Sequence, residues 1–381
     1  MPYHEPSVRG HLLPSVHRTE RHSPTGWRIA ATQRRAVQSD AMSTLILLTA
    51  VAVVSIFSWG APLRVSLPPA MGAVPIVMAE TWELFKDEGI EITLIPLPSQ
   101  SDREFAFRAG QVDVMLTDLT GALLLLQSLP QGAVIVGTGY APDPEGNHLA
   151  FLTPPTFSRI RSWDDLVARV RGGTRVQIAL PRESDLEFAA DEAFRSAGLS
   201  VPADLYIGQD NLLDNATWVL FGLVAVAVLP QPYVDYILTY SYPGKPTLEV
   251  IQWVAGASLP PEVIVARRSI VESRLDDLAA FFRAVRHAVD RLNSEDRDDI
   301  VASALPVAVD LFFPGGGPEQ ATDPLVRAEI EKGIAAIVIP HFPQPGVLDP
   351  EVYGRVMTWA VGKRYLRSPI EYDAVVVSPP G

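Results

Sequence analysis

The chain has 381 residues, of which 48% are hydrophobic, and a formal net charge of -13 at pH 7. This length is sufficient for one large or two medium lobes with a substantial core. The acidic balance argues against a nucleic-acid partner, because phosphate binding needs clustered lysine and arginine side chains. The absence of cysteine excludes disulfides, thiolate metal sites, a cysteine nucleophile and a lipid-modified cysteine anchor.

The N-terminal region has the pattern of an export signal. Residues 1–41 are polar and basic, with six arginines against three acidic residues, and the uncharged apolar run Leu45–Phe57 follows them. This run has the length of a signal-peptide hydrophobic region and is shorter than the roughly 20 residues of a membrane span. Ser58 and Gly60 permit cleavage after Gly60; an uncleaved membrane anchor and a buried core helix are the alternatives. Residues 1–61 are therefore predicted to be a basic leader with a signal or anchor segment, and the protein to be periplasmic or otherwise extracytoplasmic.

Beyond this leader, short strand-like runs alternate with longer amphipathic stretches, which is the pattern of a mostly parallel sheet covered by helices. The first block is predicted to contain, in chain order, strand Leu63–Leu67, helix Val74–Phe85, strand Ile90–Ile95, helix Asp102–Ala109, strand Val112–Leu116, helix Leu119–Gln127 and strand Val134–Gly137.

A second block repeats this plan. Its predicted elements are strand Leu149–Leu152, helix Trp163–Val170, strand Val176–Leu180, helix Leu186–Ala197, strands Leu205–Ile207 and Val224–Leu229, and helix Pro232–Tyr240. A strand at Val263–Ala266 then precedes a long helix, Ile270–Leu292, whose apolar residues recur at helical spacing. The stretch Pro306–Pro350 is rich in proline and glycine and is assigned no element, and a final helix is predicted at Glu351–Gly362.

Two similar α/β blocks and a helical C-terminal section predict two lobes joined by extended crossings near Leu149–Thr153 and Pro261–Ala266. Residues 62–150 plus 262–381 would form lobe I with the C-terminal helices, and residues 151–261 would form lobe II. A ligand is expected in the cleft between the lobes, outside the carboxyl ends of the strands.

The sequence offers little catalytic machinery. Four of the seven histidines lie in the leader, and His148, His287 and His341 form no pair at metal-ligand spacing. No GxSxG motif is present, and no glycine-rich phosphate loop follows a strand. The carboxylate pairs Asp164-Asp165 and Asp276-Asp277 fit helix starts or exposed faces. We therefore predict a protein that is not an enzyme and that uses no metal and no cofactor.

Polar residues instead occupy the turns between strands and helices. Thr117 and Asp118 open the helix after one buried strand, and Ser184 and Asp185 hold the matching position in the second block. Free backbone N–H groups and polar side chains at such turns can hold a ligand. Simple helix capping is the alternative, but the occurrence of both pairs at matching positions of facing lobes favours ligand binding.

Three further turns add candidates. Pro69 and Ala70 follow the first strand, Gln231 is placed to hydrogen-bond a ligand, and Tyr233 and Tyr140 are candidates for stacking, although each aromatic is as often a core residue. The complete predicted ligand-binding set is Pro69, Ala70, Thr117, Asp118, Tyr140, Ser184, Asp185, Gln231 and Tyr233.

Several stretches resemble one known family in the expected order. They are the opening LRVSLPPAMGAVPIVMAETWELFKDEGIEITLI, then AGQVDVMLTDLTGALLL, RIRSWDDLVAR, VAVLPQPYVDY, PEVIVARRS and SPIEYDAVV. Over residues 63–376 the chain resembles the NMT1/THI5-like and SsuA/TauA/NitT-type substrate-binding proteins of ABC importers. The resemblance implies an α/β, two-lobed type II periplasmic-binding-protein fold with a central cleft, here preceded by the signal or anchor segment. It also implies that the cleft is lined by Pro69, Ala70, Thr117, Asp118, Ser184 and Gln231.

The chain departs from the family pattern at two places. VRGGTR stands where the family has L-K-G-K, and GLVA near Gly222 lacks the usual aspartate, so an acidic hinge or ligand contact is missing there. THI5-like pyrimidine synthases share the fold but have a cysteine-rich motif, and the absence of cysteine argues against that activity.

The resemblance implies an exported solute-binding protein whose lobes close on a small ligand and then dock on an ABC importer permease. An ionised Asp118 in the cleft would favour a small nitrogen heterocycle, similar to a thiamine-precursor pyrimidine, over a sulfonate or nitrate. If Asp118 only caps its helix, an anion held by helix N-termini remains an option. The alternative function is an enzyme on the same fold, similar to the chorismate-dehydratase-like menaquinone-pathway proteins; these are cytosolic, so Leu45–Phe57 argues against it. Membrane contact is expected only through the leader, if it is uncleaved.

Overall fold

The structure is a computed structural model that describes residues 61–381, except 156–159, 203, 241–246, 314–317 and 319–320. The predicted leader and its apolar run Leu45–Phe57 lie outside the described residues. Among the helices of the described part, none combines the length and the apolar character that crossing a membrane requires.

Strands and helices alternate along the chain. The strands are β1 (Leu63–Leu67), β2 (Ile92–Pro96), β3 (Val114–Thr117), β4 (Ala133–Thr138), β5 (Asn147–Thr153), β6 (Ile178–Ala179), β7 (Tyr206–Ile207), β8 (Val226–Pro230), β9 (Glu249–Ala255) and β10 (Val263–Arg267). The helices of the first part are α1 (Ala73–Thr81), α2 (Leu84–Asp87), α3 (Gln100–Arg108), α4 (Leu119–Ser128), α5 (Trp163–Arg171), α6 (Asp185–Ser196), α7 (Leu212–Leu220) and α8 (Tyr233–Thr239). The C-terminal helices are α9 (Arg268–Ser273), α10 (Leu275–Ser294), α11 (Arg297–Phe312), α12 (Pro324–Ala335), α13 (Pro350–Gly362) and α14 (Tyr372–Val375).

The strands form two five-stranded sheets with the same plan. Their orders are β2-β1-β3-β10-β4 and β7-β6-β8-β5-β9. In the first sheet β10 is antiparallel to β3 and β4, and in the second β5 is antiparallel to β8 and β9, while the other strands share one direction. The prediction of two similar, mostly parallel α/β blocks is thus confirmed. In each sheet the antiparallel strand, β10 or β5, is the one that directly follows a connection from the other sheet.

The connections between the sheets differ from the expected ones. The chain passes between the sheets through residues 139–146 and 256–262. The crossing expected near Leu149–Thr153 lies a few residues earlier, because this stretch belongs to β5 and its residues Leu149–Leu152 pair on both sides, with β8 and β9. Similarly, Val263 already begins β10. An extended apolar run has the same pattern in a sheet as in a crossing, so the sequence could not separate the two. The division into lobe I (62–150 plus 262–381) and lobe II (151–261) remains a prediction.

Two predicted helices are each interrupted. The expected helix Val74–Phe85 ends at Thr81, and Glu83 takes a left-handed conformation (φ 58°) before α2. The break lets Phe85 turn inward, where its ring stacks on Phe281 of α10 at 5.5 Å between centroids. The expected helix Ile270–Leu292 is divided into α9 and α10 at Arg274.

The proline-rich stretch contains two helices that the sequence did not indicate. Pro306 lies inside α11, and α12 begins at Pro324, which occupies its first turn. Ala304 and Ala308 of α11 are fully buried, so tertiary packing outweighs the cost of proline within a helix. Helix α7 and strand β9 were also not predicted.

Each sheet is covered by apolar helix faces. In the first sheet, β1 and β3 pack against α1 and α10 on one side, where Phe281 and Phe282 are fully buried. Helices α4 and α13 cover the other side. In the second sheet, β5 and β8 pack against α5 and α6, with Phe151 and Phe194 in the core. These layers hold the loops at the carboxyl ends of the strands in fixed positions.

Candidate functional site

A cavity of about 190 Å³ lies where loops of the two sheets meet. It is lined by residues that follow β1, β3, β4, β6 and β8, and by the connection between β9 and β10. This is the position at which α/β folds place ligands, since the carboxyl ends of parallel strands and the N-termini of the following helices point to it.

Eight of the nine predicted ligand-binding residues line this cavity: Pro69, Ala70, Asp118, Tyr140, Ser184, Asp185, Gln231 and Tyr233. Thr117 does not. It is the last residue of β3, is 1% exposed, and directs its hydroxyl to Oδ1 of Asp118 at 3.5 Å. The prediction that the turns of both blocks converge on one place is therefore matched by the geometry, while a ligand-binding role of these residues remains a proposal.

Asp118 caps two helices at once. Its Oδ1 accepts a hydrogen bond from the backbone N–H of Gly121 at 2.9 Å, within the first turn of α4. Its Oδ2 accepts one from the backbone N–H of Asp185 at 2.9 Å, at the start of α6. Capping and an orientation toward the cleft, which the sequence presented as alternatives, thus occur together.

Asp185 in turn accepts hydrogen bonds from the first residues of α4. Its Oδ2 accepts from the N–H of Leu119 at 2.8 Å, and its Oδ1 accepts from the N–H and hydroxyl of Thr120 at 2.9 and 2.6 Å. The two aspartates therefore exchange helix caps across the cleft between α4 and α6.

Burial of these two carboxyl groups changes their acidity. Desolvation raises the pKa of Asp118, although its bonds to backbone N–H groups oppose this. Desolvation, followed by the nearby charge of Asp118, raises the pKa of Asp185 to about 8. For each carboxylate, the free-energy cost of losing its hydration exceeds the stabilisation that its N–H donors provide.

Ser184 has a local role. Its hydroxyl accepts from the N–H of Glu187 at 3.3 Å, which caps α6, and donates to the carbonyl oxygen of Pro181 at 2.7 Å. For this residue the capping alternative is observed.

Glu262, which sequence reasoning missed, also lines the cavity. Its Oε2 is buried and has no hydrogen-bond partner among the described residues. Desolvation raises its pKa to about 8. A Cβ on Gly72 would collide with Oε2, so the glycine leaves room for this carboxyl group.

Arg103 of α3, also missed, brings a positive charge to the cavity wall. It is 6% exposed, and its Nη1 donates to the carbonyl oxygens of Leu97 and Pro98 at 2.7 and 2.8 Å. Its Nε is buried without a hydrogen-bond partner within the described ranges. Burial lowers its pKa. The surrounding helix is rich in charged residues, so nothing local distinguished this arginine.

Gln231 and Tyr233 are already engaged with the protein. The Nε2 of Gln231 donates to Oδ1 of Asp235 at 2.9 Å. The hydroxyl of Tyr233 lies 3.3 Å from the carbonyl oxygen of Pro69, and its ring packs edge-on against Phe312 and Phe313. Tyr233 thus connects α8, the loop after β1 and α11, which is the core role that the sequence left open beside stacking on a ligand.

Tyr140 and His148 form an aromatic part of the wall. Their rings meet edge-on at 6.2 Å, and Tyr140 also packs edge-on against Phe342 at 5.8 Å. Desolvation lowers the pKa of His148, which keeps the imidazole neutral at pH 7. In the part of the chain that the structure describes, no group of three or more histidine, aspartate or glutamate side chains is arranged to hold a metal ion.

No protein-family model matches this chain, and no curated protein sequence matches it. Solved structures do match it. The alkanesulfonate-binding protein SsuA from Xanthomonas axonopodis pv. citri, bound to MOPS, is 16% identical with a TM-score of 0.62, over 84% of this chain and 100% of that one. The periplasmic aliphatic sulphonate binding protein SsuA from Escherichia coli is 15% identical with a TM-score of 0.57, over 84% and 93%.

A Candida albicans gene product that exhibits the generic periplasmic binding protein structural fold is 12% identical, with a TM-score of 0.54, over 83% of this chain and 94% of that one. This chain has the two-lobed periplasmic-binding-protein fold. The fold that the sequence resemblance implied is thereby confirmed. At these identities the likeness extends to the fold, and the NMT1/THI5-like assignment within it stays a prediction.

Proposed function

We propose that this chain is an exported solute-binding protein of an ABC importer and that it holds a small solute in the cavity between its lobes. The observation that carries the proposal is a pair of buried polar atoms on the cavity-lining residues, Oε2 of Glu262 and Nε of Arg103, that have no partner among the described residues. Leaving such atoms without partners costs free energy, which a bound ligand would recover.

The proposed solute is a small nitrogen heterocycle, of the thiamine-precursor pyrimidine type. A carboxyl group with a pKa of about 8 is available near neutral pH both as a hydrogen-bond donor and as an acceptor. An aminopyrimidine edge, which has an N–H group beside a ring nitrogen, pairs with such a carboxyl group. The Nε–H of Arg103 provides a donor for a further acceptor on the ligand, and the rings of Tyr140 and His148 supply an apolar wall.

A sulfonate or nitrate is the second ligand class, and the SsuA structures are the reason to keep it. The basic leader with its apolar run supports export, and docking of the closed lobes on a membrane permease follows from the proposed role. An enzyme on the same fold is disfavoured because the cavity carboxylates Asp118 and Asp185 are held by backbone N–H groups, so neither is free to act as a general base.

Thermal unfolding in the presence of a 4-aminopyrimidine, MOPS, sulfate and nitrate tests the proposal. Stabilisation by the aminopyrimidine should rise with its concentration, and mass spectrometry should recover the ligand unchanged. The variant Glu262→Ala should lose most of this stabilisation, whereas Glu351→Ala, exposed at the start of α13, should keep it. Conversion of the ligand during incubation would favour the enzyme, and no stabilisation by any small solute would reject the binding role.

A further inference from the structure

Several helices begin at the cavity, and a helix N-terminus is the place where proteins ordinarily bind anions. At three of them, α3, α4 and α6, first-turn N–H groups already donate to an acidic side chain of this chain. The N–H of Gln100 at the start of α3 donates to Oδ2 of Asp210 at 3.2 Å.

The other two helices are capped by exchange. Leu119 and Thr120 of α4 donate to Asp185, and the N–H of Asp185 on α6 donates to Asp118, all at 2.8–2.9 Å. Most of these contacts join residues distant in sequence: Asp210 reaches α3, and Asp118 and Asp185 reach each other's helix. Three acidic side chains, Asp118, Asp185 and Asp210, therefore occupy N–H donors that an oxyanion would need.

The charges around the cavity point the same way. The lining residues include the four acidic groups Asp118, Asp185, Asp210 and Glu262, against one arginine, Arg103. The Nη1 of Arg103 is already bonded to backbone carbonyl oxygens. His148, the histidine of the wall, has its pKa lowered by burial and adds no positive charge at pH 7. An entering anion would find these N–H donors occupied and would meet carboxyl groups in place of free donors.

A second observation indicates what the cavity accepts instead. The Oε2 of Glu262 is buried and lacks a partner among the described residues, and a carboxyl oxygen of this kind is satisfied by an N–H or N⁺–H group of a ligand.

We infer that Asp118 and Asp185 are the specificity-determining residues of the cleft: because their carboxyl groups already occupy the N–H donors at the starts of α4 and α6, they reject sulfonates and other oxyanions and select solutes that carry hydrogen-bond donors or a positive charge. This inference rests on the proposed function and specifies the charge of its ligand. It also predicts a ligand preference different from that of the SsuA proteins, which share the fold and bind sulfonates.

The test is a reversal of specificity in the full chain. The double variant Asp118→Gly/Asp185→Gly frees the N–H groups of both helices and removes two carboxyl groups, and glycine costs little at position 118, the N-cap of α4. Titration calorimetry with sulfate and with MOPS should detect no binding to the unchanged protein, and the Kd of the double variant should be at least about tenfold below the highest anion concentration at which the unchanged protein shows none. Each single variant should gain less affinity for sulfate and MOPS than the double variant.

The matched control is Asp323→Gly/Asp349→Gly, which removes the caps of α12 and α13 away from the cavity. It should not gain anion binding. Tight binding of sulfate or MOPS to the unchanged protein would overturn the inference whether or not the variants fold, and would leave the solute-binding role intact. Glycine variants that fold but gain no affinity would also overturn it. Binding of an aminopyrimidine to neither form would count against the proposed function alone, because the gain of anion binding is measured separately.

Discussion

At the scale of single residues, the cavity wall includes acidic side chains that are buried away from water. Burial raises the pKa of both Asp185 and Glu262 to about 8. A carboxyl group whose pKa rises on folding binds more protons in the folded state than in the unfolded state between its two pKa values. Its stabilising contribution is complete below the unfolded pKa and is lost as the pH rises through about 8.

The variant Glu262→Gln removes one of the two carboxyl groups that take up a proton on folding. Because the amide stays neutral, the fall in the free energy of unfolding between pH 6 and pH 9 should be smaller than in the unchanged protein, by on the order of 1 kcal/mol. Thermal or urea unfolding at pH 6, 7.5 and 9 measures this difference. Part of the slope should remain, since Asp185 still titrates. Parallel curves for the two proteins would show that Glu262 does not change its protonation on folding.

Gly72 provides a second residue-scale prediction, because its missing side chain leaves space for the Glu262 carboxyl group. Gly72→Ala should destabilise the protein by about 1–3 kcal/mol through this collision. In the Glu262→Ala background the same substitution should cost clearly less, and a double-mutant cycle measured by denaturant unfolding gives the coupling. Equal costs in both backgrounds would mean that the glycine has another role.

At the scale of secondary-structure elements, α6 and α13 are held together by a buried polar cluster. Lys363 donates to Glu187 and Asp191 of α6 at 2.8 and 3.0 Å, and Tyr365 and Trp359 donate to the same two carboxylates. The side chain of Glu187 is 1% exposed. An acidic side chain so deeply buried is tolerated because several donors surround it.

Lys363→Met should therefore destabilise the protein by roughly 2–4 kcal/mol, because it leaves two carboxylates without their cation. Lys86→Met is the matched control. Its ion pair with Glu83 has both side chains more than two-thirds exposed, so it should change stability by less than about 0.5 kcal/mol. Denaturant midpoints of the two variants test the contrast, and similar values for both would contradict it.

At the scale of the whole molecule, the two sheets are joined by two connections and by polar contacts across the cleft. Besides the exchange between Asp118 and Asp185, the hydroxyl of Ser99 lies 3.1 Å from Oδ2 of Asp210, and the hydroxyl of Tyr233 lies 3.3 Å from the carbonyl oxygen of Pro69. These contacts hold the lobes together through the protein's own side chains. Opening of the cleft must break them, as hinge motions in two-lobed proteins do.

Asp185→Ala should accordingly widen the distribution of distances between the lobes. Because the chain has no cysteine, Lys86→Cys and Asp164→Cys, one on α2 and the other on α5, give two unique labelling sites for single-molecule energy transfer. The variant should show a larger fraction of long distances than the labelled protein with Asp185 intact. An unchanged distribution would mean that the cap exchange does not resist opening.

Local sequence pattern was sufficient to predict the α/β alternation, nearly every strand and the positions of the turns that face the cavity. These features depend on local hydrophobic spacing and on polar residues next to strand ends, which a short window of sequence displays. Eight of the nine predicted site residues line the cavity for this reason. Local pattern was misleading where packing outweighs it, as at Pro306 inside α11 and at the break before Phe85, and it gave no signal for α7 and β9.

Which side chains meet at the cavity follows only from the way the two sheets pack. Asp118 and Asp185 each look like a simple cap in sequence, and their exchange depends on how the loops after β3 and β6 approach each other. Arg103 lies on the charged helix α3 and Glu262 in a connection between the sheets, and no local sequence pattern marks either as a site residue. Contacts between residues distant in the chain depend on the approach of whole sheets, and burial, which sets the acidity of these carboxyl groups, exists only once the sheets have packed.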